Sequence, residues 1–170
     1  MKQLLFIWLS VSYFATVAQT ASEDYLNFLI QQEITVGSEL VLLTNKLNSK
    51  DKIVLTGQLQ KLRNEVDIAI ERVEEKIAHG KSNYLKQAAI DYFTSFKHIT
   101  KHELIKLVEM ITKPNSEPDD KGLVDDYFSK IFQHINKYEI VYEAAKEKYC
   151  EEHKIETPKA YHKFYLNETK

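Results

Sequence analysis

His98 and His102 stand four residues apart in a segment with helical periodicity. On a helix that spacing puts both imidazoles on one face, as in the H-x-x-x-H pairs of zinc sites. Glu103 follows, but the H-E-x-x-H pattern of a zinc peptidase needs histidine at position 106, which is Lys106. Lys97 and Lys101 add positive charge beside the pair, and no cysteine pair or third ligand is evident from spacing. His98 and His102 are therefore weighed as a metal pair, while the sequence calls for no cofactor. The paired Glu-x-x-His motifs of di-iron bundles are missing: Glu75 to His79 is one residue too long, and Glu152 directly precedes His153. Neither C-x-x-C-H for covalent haem nor a glycine-rich phosphate loop occurs.

Two further positions depart from a plain packing pattern. Glu33 falls on an apolar stripe between Ile30 and Leu40, with Gln32 beside it. A carboxylate in a dry core shifts its pKa or demands a partner, so Glu33 marks either a ligand site or a place where the helix turns its polar side inward at a wet bundle end. Gly37 follows three β-branched residues in a weak helical stretch and costs about 1 kcal/mol against alanine. If the first two helices run antiparallel about Asn48-Ser49, Gly37 lies level with Gln60 and Gly57 with Leu40, which allows close backbone approach or the mouth of a ligand cleft. Cys150, the single cysteine, reads as a small, partly buried helical side chain; no serine, histidine or aspartate signature accompanies it. Tyrosines gather in the second half of the chain, where helical spacing makes them margins of the core with satisfied hydroxyls.

Four long amphipathic segments would have to position these residues. The first spans about Ser22 to Leu47, with Ser22 as its N-cap and a stripe of Leu26, Ile30, Leu40, Leu43 and Leu47. The second, Lys50 to His79, carries a seam of Leu55, Leu59, Leu62, Val66, Ala69, Val73 and Ile77 at alternating spacings of four and three, with Gly80 as its C′ residue. The third runs from Ser82 to Thr112 and stops at Lys113-Pro114. The fourth runs from Leu123 to His153 on Val124, Phe128, Ile131, Ile135, Tyr138, Tyr142, Ala145 and Tyr149. Rods of similar length joined by short links favour antiparallel neighbours. The expected fold is all-α: an antiparallel up-down-up-down four-helix bundle over residues 22–156, with an aromatic, basic C-terminal tail over 157–170.

Residues 1–21 have the build of a signal peptide: Lys2, an apolar run from Leu4 to Ala18, and small residues before Ser22. That run of about 15 residues, interrupted by Ser10 and Ser12, is shorter than the ~20 a spanning helix needs, so no membrane span is expected after cleavage. The 170 residues carry 23 Lys+Arg against 25 Asp+Glu, a net charge of -2, which leaves no basic excess to displace counterions from nucleic acid. At 44% hydrophobic residues the chain can build a core without disulfides. Asn167-Glu168-Thr169 is a glycosylation sequon, meaningful only in a eukaryotic secretory route.

Three stretches, DYLNFLIQQEITVGSEL, LQKLRNEVDIAIERVEE followed by LKQAAIDYF, and YEAAKEKYCEEHKIE, together resemble short bacterial exported helical proteins catalogued as surface proteins of unknown function. The resemblance implies an envelope location and a helical bundle, and it supplies no catalytic residues. The functional expectation is an exported, non-enzymatic bundle, in the periplasm, at the cell surface or secreted, that binds a protein partner. The rival expectation is a bundle that holds a small molecule or a metal through Glu33, Gly37, His98 or His102. A hydrolase or transferase with a dispersed site has no supporting constellation, and a eukaryotic secreted effector is a further reading.

Overall fold

The computed structural model describes the backbone of residues 2–80, 82–113 and 120–156, and the side chains of 20–80, 82–113 and 122–156. The expected tail with Asn167 lies outside the described residues, as do positions 114–119 of the proline-marked loop and the side chains of the expected signal segment. Five α-helices follow in order: α1 (Lys2–Lys46), α2 (Lys52–Glu75), α3 (Asn83–Lys101), α4 (Glu103–Ile111) and α5 (Asp120–His153). A 3-10 turn at Leu47–Ser49 joins the first two, and no strand occurs among the described residues. Helices α3 and α4 together form one broken rod, so the fold is an all-α four-helix bundle.

Contacts between the helices fix their direction. Lys46 Nζ donates to Gln58 Oε1 at 2.7 Å, while Arg72 Nη1 donates to Gln32 Oε1 at 3.4 Å, so α1 and α2 are antiparallel. Lys97 pairs with Asp67 at 2.7 Å and Lys86 reaches the Glu74 carbonyl at 2.6 Å, which sets α3 antiparallel to α2. Tyr84 donates to Glu152 at 2.8 Å and the Tyr92 and Tyr142 rings stack with centroids 5.1 Å apart, which sets α5 antiparallel to α3. Helix α3 is the central element: Leu85, Ala88, Ala89, Tyr92, Phe93, Phe96 and Ile99 are all buried, spread around its surface between α2 and α5. Helices α1 and α5, by contrast, approach each other least closely of the packed pairs.

The α2 seam is buried from Leu55 to Val73 as its periodicity requires. Its ends differ from expectation for local reasons. Asp51 is the N-cap, its Oδ1 accepting from the amides of Ile53 at 2.9 Å and Val54 at 3.1 Å. The helix stops at Glu75, and Lys86 Nζ takes the exposed Glu74 and Lys76 carbonyls at 2.6 and 2.9 Å, a cap supplied from α3. Ile77 thus leaves the seam and stands 87% exposed. Gly80, at φ +62°, serves the loop rather than the helix end.

Two other expectations are corrected. Ser22 is not an N-cap, because α1 runs unbroken from Lys2 and no glycine or proline interrupts the sequence there. The third rod is not one helix: it breaks at His102 (φ -119°, ψ -65°). In a continuous helix the Thr100 carbonyl would accept from the amide of residue 104. Here Arg63 of α2 takes that carbonyl, through Nε at 3.0 Å and Nη2 at 2.6 Å. A charged donor from a neighbouring helix thus satisfies an oxygen the break would orphan. Arg63→Ala is expected to destabilise the bundle by about 1–3 kcal/mol, the cost of an unpaired buried carbonyl, whereas exposed Lys61→Ala should change little; thermal denaturation of the two variants makes the comparison.

Candidate functional site

Helices α1 and α5, which pack over less backbone than the other neighbouring pairs described above, are bridged by long polar side chains. Glu33 of α1 meets Lys146 of α5 with Oε2 and Nζ 2.8 Å apart, and Lys146 also pairs with Glu143 at 2.6 Å within its own helix. The Lys146 ammonium lies 4.5 Å from the centre of the Tyr142 ring. The side chains of Glu33 and Lys146 are only 12% and 11% exposed, so this pair is largely withdrawn from water. Burial pushes the Glu33 carboxyl above its ordinary range, with Lys146 opposing and Glu143 and Glu139 reinforcing the rise. Burial pulls Lys146 down, but the attraction of Glu33 and hydrogen bonds to Glu143 and Glu33 outweigh it and hold the ammonium up. The asymmetry is physical: the cation faces two carboxylates, whereas the Glu33 anion shares one cation with other anions. As placed, Glu33 is a cross-helix tie, and its sequence position on the seam is explained by a partner that spacing could not reveal.

Gly37 is buried, one residue past the buried Val36. Gly57, expected level with Leu40 and so about a turn away, has nothing within 4 Å of where a Cβ would stand. The glycines therefore do not pair to bring α1 and α2 backbones together. An open cleft of about 280 Å³ lies elsewhere, between α2, α3 and α4, lined by Gln60, Arg63, Asp67, Lys97, Thr100 and Lys101 with Ile105. It is the outer side of the His102 break and includes neither Glu33 nor Gly37.

Beyond Lys146, the tyrosines of this region form a buried group. Tyr142 and Tyr149 are fully buried, Tyr25 packs on Tyr149 with centroids 5.9 Å apart, and Tyr149 donates its hydroxyl to the Ser22 carbonyl at 3.2 Å. Ser22 Oγ lies 3.0 Å from His153 Nδ1, whose ring packs against Tyr149 at 4.3 Å. A serine hydroxyl on an imidazole is the start of a nucleophile pair, but Ser22 is 1% exposed, so the contact fastens α1 to the end of α5. The expectation of satisfied hydroxyls holds for Tyr149 and Tyr84 and fails for Tyr25 and Tyr142, whose hydroxyl oxygens are buried with no hydrogen-bond partner. Burial raises Tyr25 to about 12 and lifts Tyr92 and Tyr142 well above the ordinary tyrosine value. Cys150 is buried and in no disulfide.

At the opposite end of α3, the structure joins His98 and His102, with ring centroids 4.6 Å apart, to a third imidazole that spacing missed. His134 of α5 stacks on His98 at 5.0 Å with planes 25° apart, and Tyr138 continues the row at 5.4 Å. Glu103 Oε1 lies 3.7 Å from His98 Nε2, while its Oε2 is buried without a hydrogen-bond partner. Burial and the neighbouring His98 hold His134 below the usual imidazole value. Among the described residues no group of three or more histidine, cysteine, aspartate or glutamate side chains is arranged to hold a metal ion. As stacked, these rings offer acid–base chemistry. No protein-family model, curated protein or solved structure matches the chain, so no site residue is carried over from a relative.

Two measurements test this geometry. Glu33→Ala should cost about 1–3 kcal/mol by leaving a buried ammonium with Glu143 alone, and Glu33→Ala combined with Lys146→Met should recover most of it in chemical denaturation. The stability that the buried Tyr25 contributes should be constant with pH below the ordinary tyrosine value of 10, fall above it as the unfolded tyrosine ionises, and be lost as pH passes the folded Tyr25 value of about 12. Tyr142→Phe, which removes one buried unpartnered hydroxyl, should shift that alkaline midpoint upward in a circular-dichroism titration.

Proposed function

We propose that this chain is an exported helical-bundle protein, without catalytic activity of its own, that holds a protein partner on its surface in the cell envelope or the extracellular space. One observation carries the reading. Where α1 and α2 join, large apolar side chains stand outside the core: Ile53 is 85% exposed, with Val54 beside it and Val41 and Leu42 on the last turns of α1. The seams of α2 and α3 are already filled, so these residues are surplus to the fold. Exposed apolar side chains flanked by charge are what partner contacts use. Lys46, Lys50, Asp51 and Lys52 supply that charge along the joining segment.

Export rests on the build of residues 1–21, and it fits the packing that Ser22 is buried while Thr20 is exposed. No described helix is long and apolar enough to cross a membrane. The buried polar groups found at Glu33, Lys146 and Ser22 are mutually satisfied ties, which favours work done at the surface over work done in the interior.

Ile53→Asp together with Leu42→Asp should leave helicity and melting temperature within about 0.5 kcal/mol of the parent, the usual range for surface changes. The pair should also abolish a specific complex recovered from the envelope or secreted fraction of the source cell. Ile140→Asp, on the exposed side of α5, should leave that complex intact. The exported form should have an intact mass corresponding to a chain beginning near Ser22. A well-folded monomer that forms no complex, or a complex indifferent to Ile53 and Leu42, overturns the reading.

A further inference from the structure

The histidines at the α3–α4 break make a device that neither the fold nor partner binding requires. His98 has two neighbours of opposite consequence. Across the helix interface it stacks face to face on His134 of α5 at 5.0 Å, a contact that suits two neutral rings. Toward α4 its Nε2 lies 3.7 Å from Glu103 Oε1, a contact that suits an imidazolium. Glu103 has its other oxygen buried without a hydrogen-bond partner, so its carboxylate gains from a cation that comes nearer. We propose that protonation of His134 breaks its stack on His98, leaving His98 to Glu103, unfastening α5 from α3 at this level and letting the α4 end of the bundle open about His102.

The groups that bear on this exchange are few. His134 is faced by His98 from α3, by Glu103 from α4, and by Lys137 and Tyr138 of its own helix. His102 stands on the other side of His98 at 4.6 Å, and Lys97 and Lys101 flank the pair along the chain. A single carboxylate, Glu103, can neutralise one proton on the cluster; a second proton has only like charges near it, Lys137 among them. Burial already disfavours charge on His134, so its neutral form belongs to the closed bundle and its charged form to an open one. The sign follows. A base held below its unfolded value of about 6.5 weakens the fold as pH falls through that value, and the fold is whole above it.

The architecture makes the opening local. Helix α4 has nine residues, fewer than an isolated helix needs to persist, and is held by Leu104, Leu107 and Val108. The break at His102 has already given up helical continuity, with Arg63 occupying the Thr100 carbonyl. The other end of the bundle is fastened by Ser22, Tyr149 and His153 and contains no such stack across α3 and α5. Its own imidazole contact, His79 with His153 at 5.5 Å, joins a loop to the end of α5.

Amide hydrogen exchange of the full chain, read by mass spectrometry at pH 7.5 and 5.5 and corrected for the intrinsic pH dependence of exchange, tests the proposal. Protection over residues 103–111 and 122–138 should fall at least tenfold at the lower pH, while α2 (residues 52–75) should change less than twofold. His134→Phe keeps an aromatic ring against His98 but cannot take a proton, and should remove most of the difference. Glu103→Gln removes the acceptor and should shift the opening to lower pH. His79→Gln should leave it unchanged. Equal loss of protection in α2 and α4, no loss in either, or an unaltered response in His134→Phe overturns the inference. If His134→Phe does not fold, Glu103→Gln decides alone, an unmoved midpoint counting against it.

Discussion

The structure depends on how α1 is held. Its most extensive packing is against α2, and it meets α5 over far less backbone. A helix packed mainly on one neighbour buries too narrow a stripe to be fixed by apolar packing alone. The α1–α5 interface is spanned by reach. Lysine, glutamate and tyrosine side chains extend across it, and each brings a polar terminus that must be met once it arrives. That is why Glu33–Lys146–Glu143, Tyr149–Ser22 and Ser22–His153 all lie on this one interface. A buried ion pair adds little to stability compared with a packed apolar pair, and its value is in setting register. Here it determines which turn of α1 faces which turn of α5.

The α2–α3 interface is built on the opposite principle. Both helices bury apolar seams, with Leu62, Val66 and Val73 on α2 and Ala89, Phe93 and Phe96 on α3, and polar contacts between them include Lys97 to Asp67 and Lys86 to the Glu74 carbonyl. Three of these contacts spend a basic side chain on a backbone carbonyl: Arg63 on Thr100, and Lys86 on Glu74 and Lys76. The cations thus end one helix and mend a break in another. Two cations that composition alone would assign to a solvated face, Arg63 and Lys86, are engaged in completing the backbone.

The helical content and the identity of the core were legible in the sequence because both follow from spacing. The α2 seam from Leu55 to Val73, the burial of Tyr142 and Tyr149, and the end of α5 at His153 all rest on 3.6-residue periodicity, a local property. What was not legible depended on atoms distant in sequence. Nothing in Lys101-His102-Glu103 breaks a helix by propensity, so the interruption there could not be read without Arg63. Ile77 continues its seam by spacing, yet Lys86 ends the helix before it. Glu33 could be recognised as out of place, but Lys146, 113 residues away, could not be assigned to it. His134 was passed over because a lone histidine on an amphipathic helix carries no signal until another helix brings its own histidines alongside. A search for histidines at equivalent heights on α3 and α5, given the antiparallel order, would have found it.

The two ends of the bundle therefore differ in kind. At the Ser22 end, the ties use hydroxyls, a carbonyl and an imidazole in satisfied contacts, joined by aromatic packing among Tyr25, Tyr149 and His153. At the α4 end, a short helix follows a break and an imidazole stack lies beside a half-satisfied carboxylate. Local opening is drawn from regions with interrupted backbone pairing, which the break at His102 supplies at the second end and not the first. The apolar residues left outside the core at Val41, Leu42, Ile53 and Val54 also lie toward the end of the bundle where the chain turns from α1 to α2, the end that α4 shares. The less firmly closed part of the molecule and its surplus apolar surface thus occupy the same end. A surface that must adapt to another protein is best carried there, because the cost of adjusting it falls on a short helix and a hinge and not on the α2–α3 core.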